Sequence, residues 1–191
     1  MLTLYIDFKS LPSYLALKPT LALANRYGAS VDWRPFLTQA RDVPEESRDA
    51  VLSQRHHKVR LASLDATDRK YAALQGIELS DSPNACSADL ALAALALVEG
   101  DKAPLIHAAF KAYWQFHADL DDYEIVSGLL SGAGFSAGFS VSSANTALAL
   151  AQRSAEAAGV VDAPCFVVAS QLFLGRQHLP WVEEHLASEM R

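Results

Sequence analysis

The sequence predicts an α/β protein that carries a large all-helical insertion. Three observations point there. The chain opens as strand, helix, strand; it closes as helix, strand, strand, helix; and the stretch between has helical spacing of apolar residues with no strand signal. The expected division is a discontinuous α/β domain made of 1–38 and 143–191, with 39–142 as the insertion.

Leu2-Thr3-Leu4-Tyr5-Ile6 is apolar and β-prone, and reads as a buried strand. Asp7-Phe8-Lys9-Ser10 leads into a helix, with Pro12 in the first turn, where its missing N–H costs nothing. That helix is expected to run to about Tyr27, with Gly28 at its end. Ser30 to Trp33 alternates as a second strand, and Pro35 closes it. If the two strands share a sheet, the helix between them is a parallel crossover.

From Val43 to about Gly76 the pattern is polar and helical. Ala85 to Val98 is rich in Ala and Leu, and Ala103 to His117 places Phe110, Tyr113, Trp114 and Phe116 among apolar residues at helical spacing. Asp121 or Asp122 can cap a short helix that ends near Gly132. Ser142 or Ser143 can start a helix that runs to Gly159. Cys165 to Val168 and Leu172 to Leu174 then form a hairpin around Ala169-Ser170-Gln171, and a final amphipathic helix covers Leu179 to Glu189.

With 191 residues the chain is one domain, or one domain with an insertion, and can bury a real core. A net charge of −6 argues against nucleic acid as partner, since phosphate binding needs clustered Lys and Arg. The basic run Arg55 to Arg60 reads as a solvated helix face. The two cysteines, Cys86 and Cys165, are far apart, which excludes a disulfide framework, a Cys-x-x-Cys pair and a cysteine zinc site. Cys165, alone on an apolar strand, is expected buried and inert. The six histidines show no metal or triad spacing, and no metal is expected. Neither a signal peptide nor a bilayer-long apolar run is evident, so no membrane partner and a cytoplasmic location are expected.

Ser10 is the leading candidate for chemistry. It ends the first strand at the mouth of a helix, where a hydroxyl and backbone N–H groups meet the positive end of the helix dipole. Such a point suits an anion. It is equally what a plain N-cap serine looks like. Pro164 is the second candidate, because an X-Pro bond that is cis marks a tight functional turn, whereas a trans proline would only start an edge strand. Asn84, after Pro83 and before a helix, is explained by N-capping.

The two halves together resemble the thioredoxin fold with a helical insertion, and the motifs extend the likeness. Asp7-Phe8-Lys9-Ser10-Leu11-Pro12-Ser13-Tyr14-Leu15-Ala16 is similar to the opening of the 2-hydroxychromene-2-carboxylate isomerases and kappa-class glutathione transferases. Lys58, Asp65, Arg69 and Gly76-Ile77 fall where that family has lysine, aspartate, arginine and glycine, although Leu61 stands for a tyrosine. Gly159-Val160-Val161-Asp162-Ala163-Pro164 resembles the family's loop before its cis-proline, and Leu174-Gly175 its C-terminal hairpin.

The resemblance implies glutathione as cofactor and a small-molecule substrate, an aromatic acid among the candidates. The implied activity is a cis-trans isomerisation by thiolate addition to a conjugated ketone, with glutathione transfer of the kappa type, or binding without catalysis, as alternatives. It implies that Ser10 donates to the glutathione sulfur and favours thiolate. It implies that the backbone of Ala163 at Pro164 pairs with the cysteinyl part, as in strand addition, and that Lys58 lies on the substrate or glutathione side, as a cofactor-binding candidate. After the glycine matched by Gly175 the family commonly has serine or asparagine, then aspartate, then arginine; here stand Arg176, Gln177 and His178. The carboxylate that would meet the γ-glutamyl ammonium is absent, while Arg176 can hold a carboxylate with two hydrogen bonds. Members of the family tend to dimerise, so a homodimer is among the expected states.

Overall fold

A computed structural model describes residues 1–39, 48–80 and 84–189; of 48–58 and 61 it describes the backbone alone. It contains a four-stranded mixed sheet of order β2-β1-β3-β4. β1 (Leu2–Ile6) lies parallel to β2 (Val31–Pro35), with Leu4 opposite Trp33. β1 is antiparallel to β3 (Cys165–Val168), with Leu4 opposite Phe166, and β3 is antiparallel to β4 (Gln171–Leu174). The hairpin turn is Ala169-Ser170, both with positive φ (50° and 62°), the backbone that a two-residue turn between twisted strands requires.

Alternation along β1 sorts its side chains. Tyr5 and its register partner Cys165 pack with Phe36, Ala155, Val160 and Ala163 on one face. Ala155 belongs to α6 (Val141–Ala157), so that face is covered by α6. On the other face, Leu4, Phe166 and Phe173 are in register, and Phe173 meets His185 of α7 (Leu179–Glu189) at 5.4 Å between ring centroids. α1 (Leu11–Arg26) connects β1 to β2 and is tied to α7 by Arg26 and Tyr27, which both bind Glu183.

Between β2 and α6 run α2 (Arg48–Leu74), α3 (Asp89–Leu97), α4 (Ala103–Phe116) and α5 (Tyr123–Gly132). Packing divides the chain into two compact units, 1–38 with 80–191, and 39–79. The sequence placed all of 39–142 in the insertion. α3 to α5 instead pack within the sheet-bearing unit, because α3 is buried from Leu90 to Leu95 and meets α6 and β2. The second unit holds α2, whose described residues are largely exposed and carry an Asp65–Arg69 pair one turn apart. Val59 and Arg60 are exposed, as a solvated face requires; the other side chains of the basic run lie outside the described residues. Among the described residues no helix is long and apolar enough to cross a membrane.

Two local expectations change, and the choice between two caps is settled. The cap of α6 is Ser140, which accepts from the N–H of Ser143 at 3.2 Å, two residues before the serine first expected. Asp122, not Asp121, caps α5, while Asp121 accepts from Leu90 N–H and so braces the start of α3. Asn84 caps nothing. Its amide donates to the carbonyls of Tyr113 and Ala118 and its oxygen accepts from Cys86 N–H, so it pins the approach to α3 onto the end of α4. The residue at the α3 cap is Ala88, with no side-chain bond.

Candidate functional site

β1 delivers the chain to the site through Asp7. The Asp7 carboxylate is 1% exposed and accepts two backbone N–H bonds, from Lys9 (2.9 Å) and Thr38 (3.0 Å). Burial pushes its pKa up; the two N–H bonds and the Lys9 charge pull the other way. Its backbone carbonyl accepts from Ser10 N–H at 3.0 Å. One buried carboxylate thus folds the Phe8-Lys9-Ser10 turn and ties it to the end of the β2 segment.

Two further bonds hold that turn from the side of α3 and α4. Trp114 Nε1 donates to the Phe8 carbonyl at 2.9 Å, and Lys9 Nζ pairs with Asp89, the first residue of α3, at 2.9 Å. Below them Phe110 meets Phe8 edge-on and stacks on Tyr14 at 5.1 Å. Tyr14 accepts a bond from Gln115 Nε2, and burial raises its phenol pKa.

Ser10 is the N-cap of α1. Its Oγ accepts from Ser13 N–H at 3.2 Å and donates to the carbonyl of Ala163 at 3.0 Å. The two readings of this serine are therefore joined in one atom: it caps the helix and it touches the loop before Pro164. Ser13 is 1% exposed, and its Oγ has no hydrogen-bond partner among the described residues. Since Pro12 has no N–H, the first turn offers few other donors.

The Ala163-Pro164 bond is cis. Ala163 was expected to present both polar backbone groups to an extended partner. In the structure its carbonyl accepts from Ser10, and its N–H donates to Asp162 Oδ1 at 2.8 Å. The carbonyl of Pro164 accepts from Gly175 N–H at 2.8 Å, which sets the end of β4 beside this loop. Gly175 has φ 87°, and a 3₁₀ turn, Arg176–His178, follows and packs on α1.

The structure thus brings Ser10, Ala163 and Pro164 together, with Gly175 and the turn of Arg176 adjoining. Gln177 is exposed and its Nε2 donates back to the Leu174 carbonyl at 3.3 Å; His178 Nδ1 bonds the same carbonyl. Arg176 is half-buried. Lys58 sits on α2, and its side chain lies outside the described residues. Cys165 is 2% exposed and burial pushes its thiol up to about 11, so it stays protonated and unreactive at neutral pH. Trp114, half-buried, is a brace for the Ser10 turn.

Asp7, Trp114, Asp89 and Asp162 were not singled out as site residues from sequence. A polar residue directly after an apolar strand is a visible signal for Asp7. Asp162 stood within the quoted loop, but its bond to Ala163 depends on the turn geometry. Nothing in the spacing relates Trp114 to Phe8.

Over residues 1–187 the chain matches the family described as DSBA-like thioredoxin domain. No curated protein matches it. Among solved structures, 2-hydroxychromene-2-carboxylate isomerase superimposes with a TM-score of 0.73 at 18% identity, covering 100% of this chain and 96% of that one. A probable DsbA oxidoreductase from Streptomyces coelicolor gives 0.70 at 21% identity, covering 98% and 88%. The cytosolic disulfide reductase DsbM from Pseudomonas aeruginosa, with GSH, gives 0.55 at 18%, covering 98% and 96%. These likenesses show the fold, which is the thioredoxin-like α/β fold that the sequence predicted.

Proposed function

The chain belongs to the DSBA-like thioredoxin domain family, and from that premise we propose that it works with glutathione as the thiol, as a cis-trans isomerase of small conjugated ketones. The carrying observation is the bond from Ser10 Oγ to the Ala163 carbonyl, which joins the start of α1 to the loop before Pro164 at a point that holds serines and no cysteine. A dithiol site needs two sulfurs. Ser10 and Ser13 supply none, so a reacting sulfur has to come with a ligand. One of the similar structures is that of a disulfide reductase with GSH, which supports the choice of thiol.

The residues fit the sulfur end of glutathione. Ser10 offers an O–H donor at the positive end of α1, and both favour a thiolate over a thiol. At the other end the fit is partial. Arg176 can take a carboxylate, but Gln177 gives an ammonium no negative partner. Bound glutathione would supply a thiolate that adds to, and leaves, a carbon–carbon double bond conjugated to a ketone, with no net redox change. Ser10 would hold the sulfur, Ala163 the cysteinyl backbone and Arg176 a carboxylate. By the resemblance alone, Lys58 would stabilise negative charge on the ketone oxygen.

The same sulfur site serves a kappa-type transferase, in which the thiol stays on the product. Binding without catalysis is favoured by one observation: Gln177 and His178 both turn back to Leu174, away from the role their family counterparts have. We place the reaction in the cytoplasm, where thiols are kept reduced, on an aromatic acid as substrate class, with a homodimer as the form to test. Calorimetric titration with millimolar glutathione tests the reading. Heat that saturates supports it; no heat, together with no thermal shift, removes it.

A further inference from the structure

Ala163 is the residue at which an extended thiol peptide would pair, and both of its polar backbone groups are bonded to side chains of the chain itself. Ser10 Oγ donates to the carbonyl at 3.0 Å, and Asp162 Oδ1 accepts the N–H at 2.8 Å. These two bonds differ in kind. The Ser10 hydroxyl can rotate from the carbonyl to a sulfur, since a hydroxyl proton swings about its C–O bond and the cap it accepts from Ser13 N–H does not depend on that proton. The Asp162 bond is charge-assisted, local and only half-buried, and it has to break for any ligand carbonyl to reach the Ala163 N–H.

We propose that Asp162 is the gate of this site and sets which ligands enter it: its carboxylate occupies the Ala163 N–H, and binding is an exchange in which a ligand carbonyl displaces it. The inference rests on the reading that a thiol peptide binds at Ala163, and it goes further by naming an internal competitor. The exchange is specific. A ligand that only places a thiol beside Ser10 leaves Asp162 where it is. A peptide must displace it, and gains only the difference between two hydrogen bonds to the same N–H. A thiol lacking a peptide carbonyl, such as 2-mercaptoethanol, is therefore insensitive to Asp162, whereas glutathione is sensitive.

The test uses the whole chain and its Asp162→Ala and Asp162→Asn variants, titrated with glutathione by calorimetry. The Ala163 amide is followed by NMR. Without glutathione, the Ala163 amide of the Ala variant should exchange with solvent faster than in the parent protein. Removal of a charge-assisted competitor is expected to tighten glutathione binding about tenfold in the Ala variant and by a smaller factor in the Asn variant, which keeps a neutral acceptor. Equal or weaker affinity in the Ala variant, or an Ala163 amide that exchanges no faster, overturns the gate and leaves the glutathione reading standing. No binding to the parent or to either variant removes both.

Discussion

The indole of Trp114 donates to the carbonyl of Phe8, two residues before Ser10, at 2.9 Å. A side chain of α4 thereby fixes the segment that aims the Ser10 hydroxyl. With the Lys9–Asp89 pair and the two N–H bonds to Asp7, it makes Ser10 the end of a braced turn rather than of a free loop.

Trp114→Phe keeps an aromatic ring and removes the donor, so the Phe8 carbonyl loses its partner. The expected loss is about 1–2 kcal/mol of stability, read as a lower urea midpoint with unchanged slope. Amide exchange at Lys9 and Ser10 should quicken more than exchange in β3. An unchanged midpoint would mean that water replaces the indole without cost and that the brace is idle.

Ser13 offers the converse case. Its hydroxyl is buried without a partner among the described residues. A methyl group in its place removes a desolvated polar atom, so Ser13→Ala is expected to raise stability by about 0.5–1 kcal/mol. A loss of similar size would show that the hydroxyl is bonded, through water or otherwise.

High pH should destabilise the protein through its buried acids. Burial raises Cys165 from 9.0 to about 11 and Tyr113 from 10.0 to about 12; nearby charges at Asp7, Cys86 and Asp89 add to the second. An acid whose folded pKa is raised favours the fold below its unfolded value and withdraws that support as pH climbs to its folded value. Stability should therefore fall from about pH 9 to about pH 12, with the unfolded chain ionising first. Cys165→Ser and Tyr113→Phe should each flatten part of that fall in urea titrations across the range. In the native protein at pH 8, alkylation should label Cys86, which is half-buried, and spare Cys165. Early labelling of Cys165 would contradict its burial.

Much of the fold was legible from residue pattern. Leu2 to Ile6 is apolar and β-prone and reads as a strand, Gly28 and Pro12 bracket α1, and the apolar runs around Ala169-Ser170 read as a hairpin. The site was legible where it lies in short motifs, at Ser10 and at Ala163-Pro164, because a cap position and an X-Pro step are local properties. What was hidden depends on packing between distant segments. The apolar residues of α3 say that it is buried but not against what, and α6 and β2 turn out to cover it. Asn84 has the composition of a cap, yet its bonds go to the far end of α4. The tie from Trp114 to Phe8 spans more than a hundred residues, and no local pattern contains it.

If glutathione is the ligand, Ser10 acts on the sulfur of the bound thiol, beyond capping α1. The most direct measurement is the pH at which bound glutathione ionises, followed by thiolate absorbance at saturating protein, in the parent chain and in Ser10→Ala. The thiol pKa is expected below the free value of about 8.5 in the parent, rising by about one unit or more in the variant. The helix alone should lose only about 1 kcal/mol of capping. A bound thiol that ionises at the same pH in both proteins would leave Ser10 as a cap with no role toward the sulfur.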